Sequence, residues 1–208
     1  MSSSTAAPTL EVDFSWKTWK GRVVDQSKPD EPLYVVDFRY LRSPHLIFRE
    51  AASDEVVGTA TLPFFSIDTD YELRGRKGTI KALKRLKTSY THLSYNYSDT
   101  ETPAAMTWAT DAGFKSWNFV CLDERQNAVA RYSARPWGFK KLAVIDFEGP
   151  KAHDPAAREE IVCIGLSLYF TMVVRMYNIF SLFGAALAKP GPLDKEAAPK
   201  NDSRAPPS

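Results

Sequence analysis

Few side chains in this sequence could do covalent or metal chemistry, and their spacing works against it. His45, His92 and His153 lie far apart, without the short ligand intervals that zinc sites use. Cys121 and Cys163 each sit in an apolar run, where a thiol behaves as a small buried hydrophobe rather than an activated nucleophile. The acid pairs Asp68/Asp70 and Glu159/Glu160 read as turn and helix-start residues before they read as a glycosidase pair. No glycine-rich phosphate loop is present. The sequence therefore assigns no catalytic residue, no metal ligand and no cofactor.

The concentrated chemistry is basic. Arg74, Arg76, Lys77, Lys81, Lys84, Arg85 and Lys87 place seven cations in one short segment that holds no acid. Ile80, Leu83 and Leu86 recur at three-residue spacing, which predicts a short helix with Lys81, Lys84, Arg85 and Lys87 on its other side. Such a segment can lie on anionic lipid, each cation contributing about 1 kcal/mol. It can equally be a solvated basic loop over one end of the domain. Nucleic acid fits less well, because readout or base stacking needs more than one basic loop. Arg125, Arg131, Arg135, Lys140 and Lys141 would extend the patch if the strands present them on the same side.

These residues must be positioned by elements, and most of the elements read as strands. The chain has 208 residues, 44% of them apolar and 25% charged, with a net charge of +2. That is the size and composition of one globular domain, able to bury a core without a metal or disulfide. Two widely separated cysteines suit a reduced, intracellular setting. The N-terminal residues have neither a basic region nor an apolar one, so no secretory signal is expected.

Tyr34, Val36, Phe38 and Tyr40 alternate with Asp37 and Arg39, and Thr91, Leu93, Tyr95 and Tyr97 with His92, Ser94 and Asn96. Further strands read over 46–48, 56–62, 105–110, 114–122, 128–134 and 139–147, with a hairpin loop at 123–127. Trp16 and Trp19 precede them, as a first strand or an interface anchor. Trp108, Trp117 and Trp137 read as core packing. Eight to ten short strands predict a barrel or sandwich. Residues 1–10 read as a disordered tail, 11–187 as one domain, and the proline-rich stretch 188–208 as a second disordered tail.

The pattern then changes. Asp154-Pro155 is a helix start, Asp as N-cap and Pro as first helical residue. From 161 to 187 the one charged residue is Arg175. A helix apolar on nearly all sides must be surrounded, by protein or by lipid. The uncharged run 161–174 is about 21 Å of helix, close to the height of a small barrel and short of the roughly 20 residues a bilayer needs. Arg175 then marks where the helix leaves the strands. The alternative is a tail-anchored protein that spans a membrane with 161–187.

This order of elements resembles the tubby C-terminal-like superfamily, which joins tubby-like, scramblase-like and LURP-one-related domains. The resemblance covers about residues 30–187. It is carried by the paired strands 33–40 and 46–49, the segment Gly58-Thr59-Ala60-Thr61, the hairpin around 124–127 and the closing helix at 161–177. The signature runs of tubby proteins are missing, and Asp68-Thr69-Asp70 lacks the Gly and closing Glu of a calcium loop. The resemblance implies a mainly β fold, an antiparallel β-barrel with a central apolar C-terminal helix. It also implies a noncatalytic domain that works at membranes, often on phosphoinositides.

The expectation is therefore a nonenzymatic domain that binds anionic phospholipid through the seven cations, cytoplasmic and peripheral to a membrane. An uncharacterised enzyme is the last alternative.

Overall fold

The computed structural model describes residues 7–15, 17–63, 67–83, 89–112, 117–134 and 140–177. Twelve strands run in order: β1 (Thr9–Ser15), β2 (Lys20–Asp25), β3 (Lys28–Phe38), β4 (Leu46–Glu50), β5 (Val56–Thr61) and β6 (Thr69–Leu73). They continue as β7 (Arg76–Ala82), β8 (Ser89–Ser94), β9 (Ala104–Ala112), β10 (Trp117–Leu122), β11 (Ala128–Ala134) and β12 (Lys141–Phe147), followed by the helix α1 (Pro155–Tyr177). Each strand pairs antiparallel with its neighbours in sequence. β1 also pairs with β12, Leu10 opposite Ile145, so the sheet closes into a barrel. Closure leaves no sheet edge open to another chain.

The strands form because their side chains alternate. In β1, Leu10, Val12 and Phe14 are buried while Glu11 and Asp13 are half-buried; in β10, Trp117, Phe119 and Cys121 are buried while Asn118 is exposed. Every second residue thus faces the interior, as a two-residue period requires. Trp108 and Trp117 are core residues, as expected; Trp16 and Trp137 fall outside the described residues.

Twelve strands correct the expected eight to ten. β1, β2, β6 and β7 escaped a sequence reading because outward charges interrupt their apolar positions. β1 begins at Thr9, and Leu10 is fully buried, so the strand reaches into the segment expected to be a tail. The short helix expected from the spacing of Ile80 and Leu83 is absent up to Ala82. There β7 buries Ile80 and Ala82 and keeps Lys77 exposed. Gly78 belongs to the inward set, and the Tyr71 ring occupies the space a Cβ would need.

The helix fills the barrel. Asp154 Oδ1 accepts from the backbone N–H of Ala156 at 2.9 Å and of Ala157 at 3.1 Å, the N-cap that Asp154-Pro155 predicted. From Ile161 to Thr171 every residue is buried. The contacts run around the whole wall. Phe170 stacks on Phe38 of β3 at 4.9 Å, Thr171 Oγ1 lies 2.6 Å from Thr69 Oγ1 of β6, and Tyr169 faces Trp117 of β10 at 5.6 Å. Gly165 lets the helix approach Trp108 of β9 and Tyr132 of β11 closely. Ser167 and Thr171 donate to carbonyls four residues back, which satisfies both hydroxyls inside the core.

This placement answers the choice between plug and span. The apolar run that a membrane anchor would use is enclosed by the strands through Val174, and Arg175 is half-buried where the helix emerges. Among the described residues no helix is long and apolar enough to cross a membrane. Residues 178–208, including the rest of the expected helix and the proline-rich stretch, lie outside the described residues.

Candidate functional site

The antiparallel order sorts the connections into two sets. Those after β1, β3, β5, β7, β9 and β11 lie at the end where α1 emerges, the exit end. The others, with the β12–α1 turn, lie at the entry end. The sequence divides its charge accordingly. Among the described residues, the connections of the exit end contain four cations, Lys17, Arg39, Arg42 and Lys140, and a single acid, Asp68. Those of the entry end contain eight Asp or Glu residues and three cations. Charge is thus polarised along the barrel although the net charge is only +2.

The seven cations expected to form one patch are divided by this geometry. Arg74 and Arg76 stand at the entry end, beside the β6–β7 turn, whereas Lys81 is near the exit end. At about 3.3 Å per residue, Arg76 and Lys81 are roughly 17 Å apart along β7. Lys84, Arg85 and Lys87 belong to the β7–β8 connection and fall outside the described residues.

Arg74 is committed elsewhere. Its Nε and Nη2 donate to the two oxygens of buried Glu159 at 2.9 and 2.8 Å, and Nη1 reaches Glu55 at 3.3 Å. A two-pronged guanidinium–carboxylate pair holds geometry as well as charge, and here it ties the first turns of α1 to the barrel rim. The bond to Glu159 drives the Arg74 pKa further up, so the group stays charged and occupied. The pairing gives Arg74 a structural role at the rim. Arg76 lies over the Tyr95 ring at 4.9 Å.

Lys77 lines an open groove of about 390 Å³ on the outer face, with Thr59, Thr61, Asp70, Glu72 and Thr79. Two carboxylates beside one lysine make this face mixed rather than basic. Of the residues suggested to extend the patch, Arg131 pairs with Glu148 at 2.5 Å and Lys141 with Glu11 at 2.8 Å. Arg125, exposed in the β10–β11 loop at the entry end, reaches Asp99 at 3.9 Å. Arg135 is outside the described residues.

The sequence offered Trp19 as part of a first strand or as an interface anchor, and passed over the rest of the exit-end surface. Lys17 and Trp19 occupy the β1–β2 turn, and Arg39, Tyr40, Leu41 and Arg42 open the β3–β4 loop; all six are exposed. Leu41 is 87% exposed, Tyr40 56% and Trp19 43%. The signal was available only as scattered single residues, because nothing in the sequence says that these two loops share an end.

Both thiols and two of the three histidines are buried, and His153 is exposed. Burial pushes both thiols, Cys121 and Cys163, well up, away from the thiolate a nucleophile needs. His45 Nδ1 accepts from the backbone N–H of Leu62 at 3.0 Å. His92 is fully buried between Glu160 and Trp108. Among the described residues no group of three His, Cys, Asp or Glu is placed to hold a metal ion.

Fold and site together define a class: a closed antiparallel barrel of twelve strands with one helix inside, basic at one end and acidic at the other. That architecture is the one the tubby-like resemblance implies. No family model matches the sequence, and no curated protein matches it. Among solved structures the chain is similar to the X-ray structure of a protein from Arabidopsis thaliana. The likeness covers 77% of this chain and 93% of that one, at 10% identity and a TM-score of 0.45. A likeness at that level carries nothing toward function.

Proposed function

We propose that this chain is a nonenzymatic domain of the tubby C-terminal-like kind that binds anionic membrane surfaces through phosphoinositide-like headgroups. The observation that supports this reading is the polarised barrel, whose exit-end connections hold, among the described residues, four cations against one acid. A flat anionic surface is the partner to which cations from several separate loops can all be presented at once. The acidic entry end would be repelled by the same surface, which favours one orientation. Such surfaces lie on the cytoplasmic side of membranes, where anionic lipid is concentrated.

The magnitudes allow a modest affinity. Lys17, Arg39, Arg42 and Lys140 are exposed at the exit end. At about 1 kcal/mol each they contribute roughly 4 kcal/mol, which corresponds to a dissociation constant near 1 mM. Charge from these four alone gives weak association, strongly dependent on salt.

Vesicle flotation tests the reading. The full chain should float with vesicles containing phosphoinositide or phosphatidylserine, not with neutral phosphatidylcholine, and less so as salt rises. Arg39→Glu with Arg42→Glu, and separately Lys84→Glu with Arg85→Glu and Lys87→Glu, should each reduce flotation. Equal binding to neutral and anionic vesicles, or none to either, contradicts the reading.

A further inference from the structure

Resting on that reading, we infer that the β1–β2 turn and the β3–β4 loop form a preformed wedge that enters the interfacial layer of an anionic bilayer. Trp19, Tyr40 and Leu41 insert, so the barrel stands with its exit end on the membrane.

The two loops are built together and from below. Trp19 N–H donates to the Ser15 carbonyl at 2.8 Å, and the Trp19 carbonyl accepts from Phe38 N–H at 2.9 Å. Trp19 has a positive φ of 55°, so the turn is tight. Its indole stacks on Phe38 at 5.4 Å, and Phe38 stacks on Phe170 of α1. An unbroken aromatic column thus runs from the core to the surface and holds the indole still. Tyr40 packs its ring 6.5 Å from Phe38 on the same column.

The β3–β4 loop is pinned at its base. Arg39 N–H donates to the His45 carbonyl at 2.6 Å, His45 N–H to the Ala60 carbonyl at 2.8 Å, and Ser43 Oγ lies 3.0 Å from Thr61 Oγ1. A rigid base that carries an exposed leucine at its tip spends little ordering entropy on insertion.

The chemistry of the tip selects the occupant. Trp and Tyr settle at the headgroup layer, where one side of the ring is apolar and the other wet. Leu41 is the apolar residue, and Arg39 and Arg42 bracket Tyr40 and Leu41 in sequence at headgroup height. The core of a protein interface is depleted in charge, whereas here each apolar tip stands beside cations. Lys140, exposed in the β11–β12 connection, adds a cation to the same end. A plane of anions over an apolar layer matches both properties.

The test uses the full chain with a single reporter. Cys121 and Cys163 are buried, so Leu41→Cys offers a selective site for a polarity-sensitive fluorophore in the folded protein. Glu101→Cys, exposed at the entry end, is the control. On phosphatidylcholine vesicles containing phosphatidylserine, the probe at 41 should shift to the blue and be quenched by lipids brominated on the upper acyl chain. The probe at 101 should do neither. Tyr40→Ser with Leu41→Ser should weaken vesicle binding about tenfold and leave its salt dependence unchanged.

If the unmodified chain binds these vesicles while the probe at 41 stays unshifted, or both probes shift alike, the wedge is wrong and lipid binding stands. An equal shift at 41 with a soluble polyanion such as inositol hexakisphosphate also overturns it. If the unmodified chain binds no anionic vesicle, both readings fall.

Discussion

Glu160 Oε1 lies 3.0 Å from His92 Nε2 in the buried space between the helix and the barrel wall. On the other side of the ring, Trp108 Nε1 donates to His92 Nδ1 at 3.1 Å. An indole N–H can only donate, so Nδ1 is the acceptor and Nε2 carries the ring proton toward Glu160. Asn96 Nδ2 donates to the second oxygen of Glu160 at 2.7 Å. With the neighbouring Glu159–Arg74 pair, two adjacent carboxylates on α1 reach two different parts of the barrel and fix the helix in depth and rotation.

This latch sets the first prediction. His92→Ala leaves one oxygen of the buried Glu160 carboxylate and a buried indole N–H without partners, and should cost about 3 kcal/mol in urea unfolding. Glu160→Gln keeps an acceptor for His92 and should cost about 1 kcal/mol. A loss in His92→Ala no larger than in Glu160→Gln would show that the network does not hold the helix.

The second prediction concerns pH. Burial pulls the His45 pKa below its ordinary 6.5, and the neutral ring accepts from Leu62 through Nδ1. The unfolded chain therefore binds the proton first as pH falls. The contribution of His45 is fully present above about pH 6.5 and is lost as pH drops through its lower folded value. Unfolding midpoints measured between about pH 7 and 5 should decline, with a shallower slope in His45→Asn. An unchanged slope in that variant assigns the decline to other groups.

Gly78 gives the third. A Cβ there overlaps the Tyr71 ring, whose hydroxyl donates to the Leu93 carbonyl at 3.2 Å and whose edge faces His92. Gly78→Ala should lose about 2 kcal/mol by overpacking. Adding Tyr71→Phe should recover little, because the clash is with the ring as well as the hydroxyl. Thermal melts of both variants decide it.

Arg175 gives the fourth. Its guanidinium Nη1 donates to the hydroxyl of Tyr90, a side chain 1% exposed. Read from sequence alone, Arg175 is a wet exit residue that Leu can replace freely. The bond to Tyr90 changes that expectation: Arg175→Leu should cost about 1–2 kcal/mol by orphaning a buried hydroxyl, and Tyr90→Phe should make the same loss disappear. A double-mutant cycle with no coupling between the two removes the bond from the account.

The helix was legible in the sequence because its signals are local. An N-cap, a proline and an uncharged run identify Asp154-Pro155 and the enclosed helix without knowledge of any neighbour. Strands that carry a local apolar run, such as β4, or alternation over most of their length, such as β11, were legible for the same reason. β6 and β7 were not. Their outward charges and the inward Gly78 make sense only once Tyr71 is seen filling the glycine's space from the adjacent strand.

The basic segment shows the limit most clearly. Sequence proximity made Arg74 and Lys81 members of one patch, yet an extended strand carries residues apart at more than twice the rise of a helix. It set Arg74 against Glu159 at one end of the barrel and Lys81 toward the other. The order of residues alone predicted a mainly β domain and an apolar helix that had to be surrounded, because burial periodicity is written residue by residue; that strands surround it was decided by the tertiary structure. Which charges share an end, which arginine is paired with Glu159, and that Trp19 and Tyr40 both pack on Phe38 were decided by the tertiary structure, which joins residues that no local pattern connects.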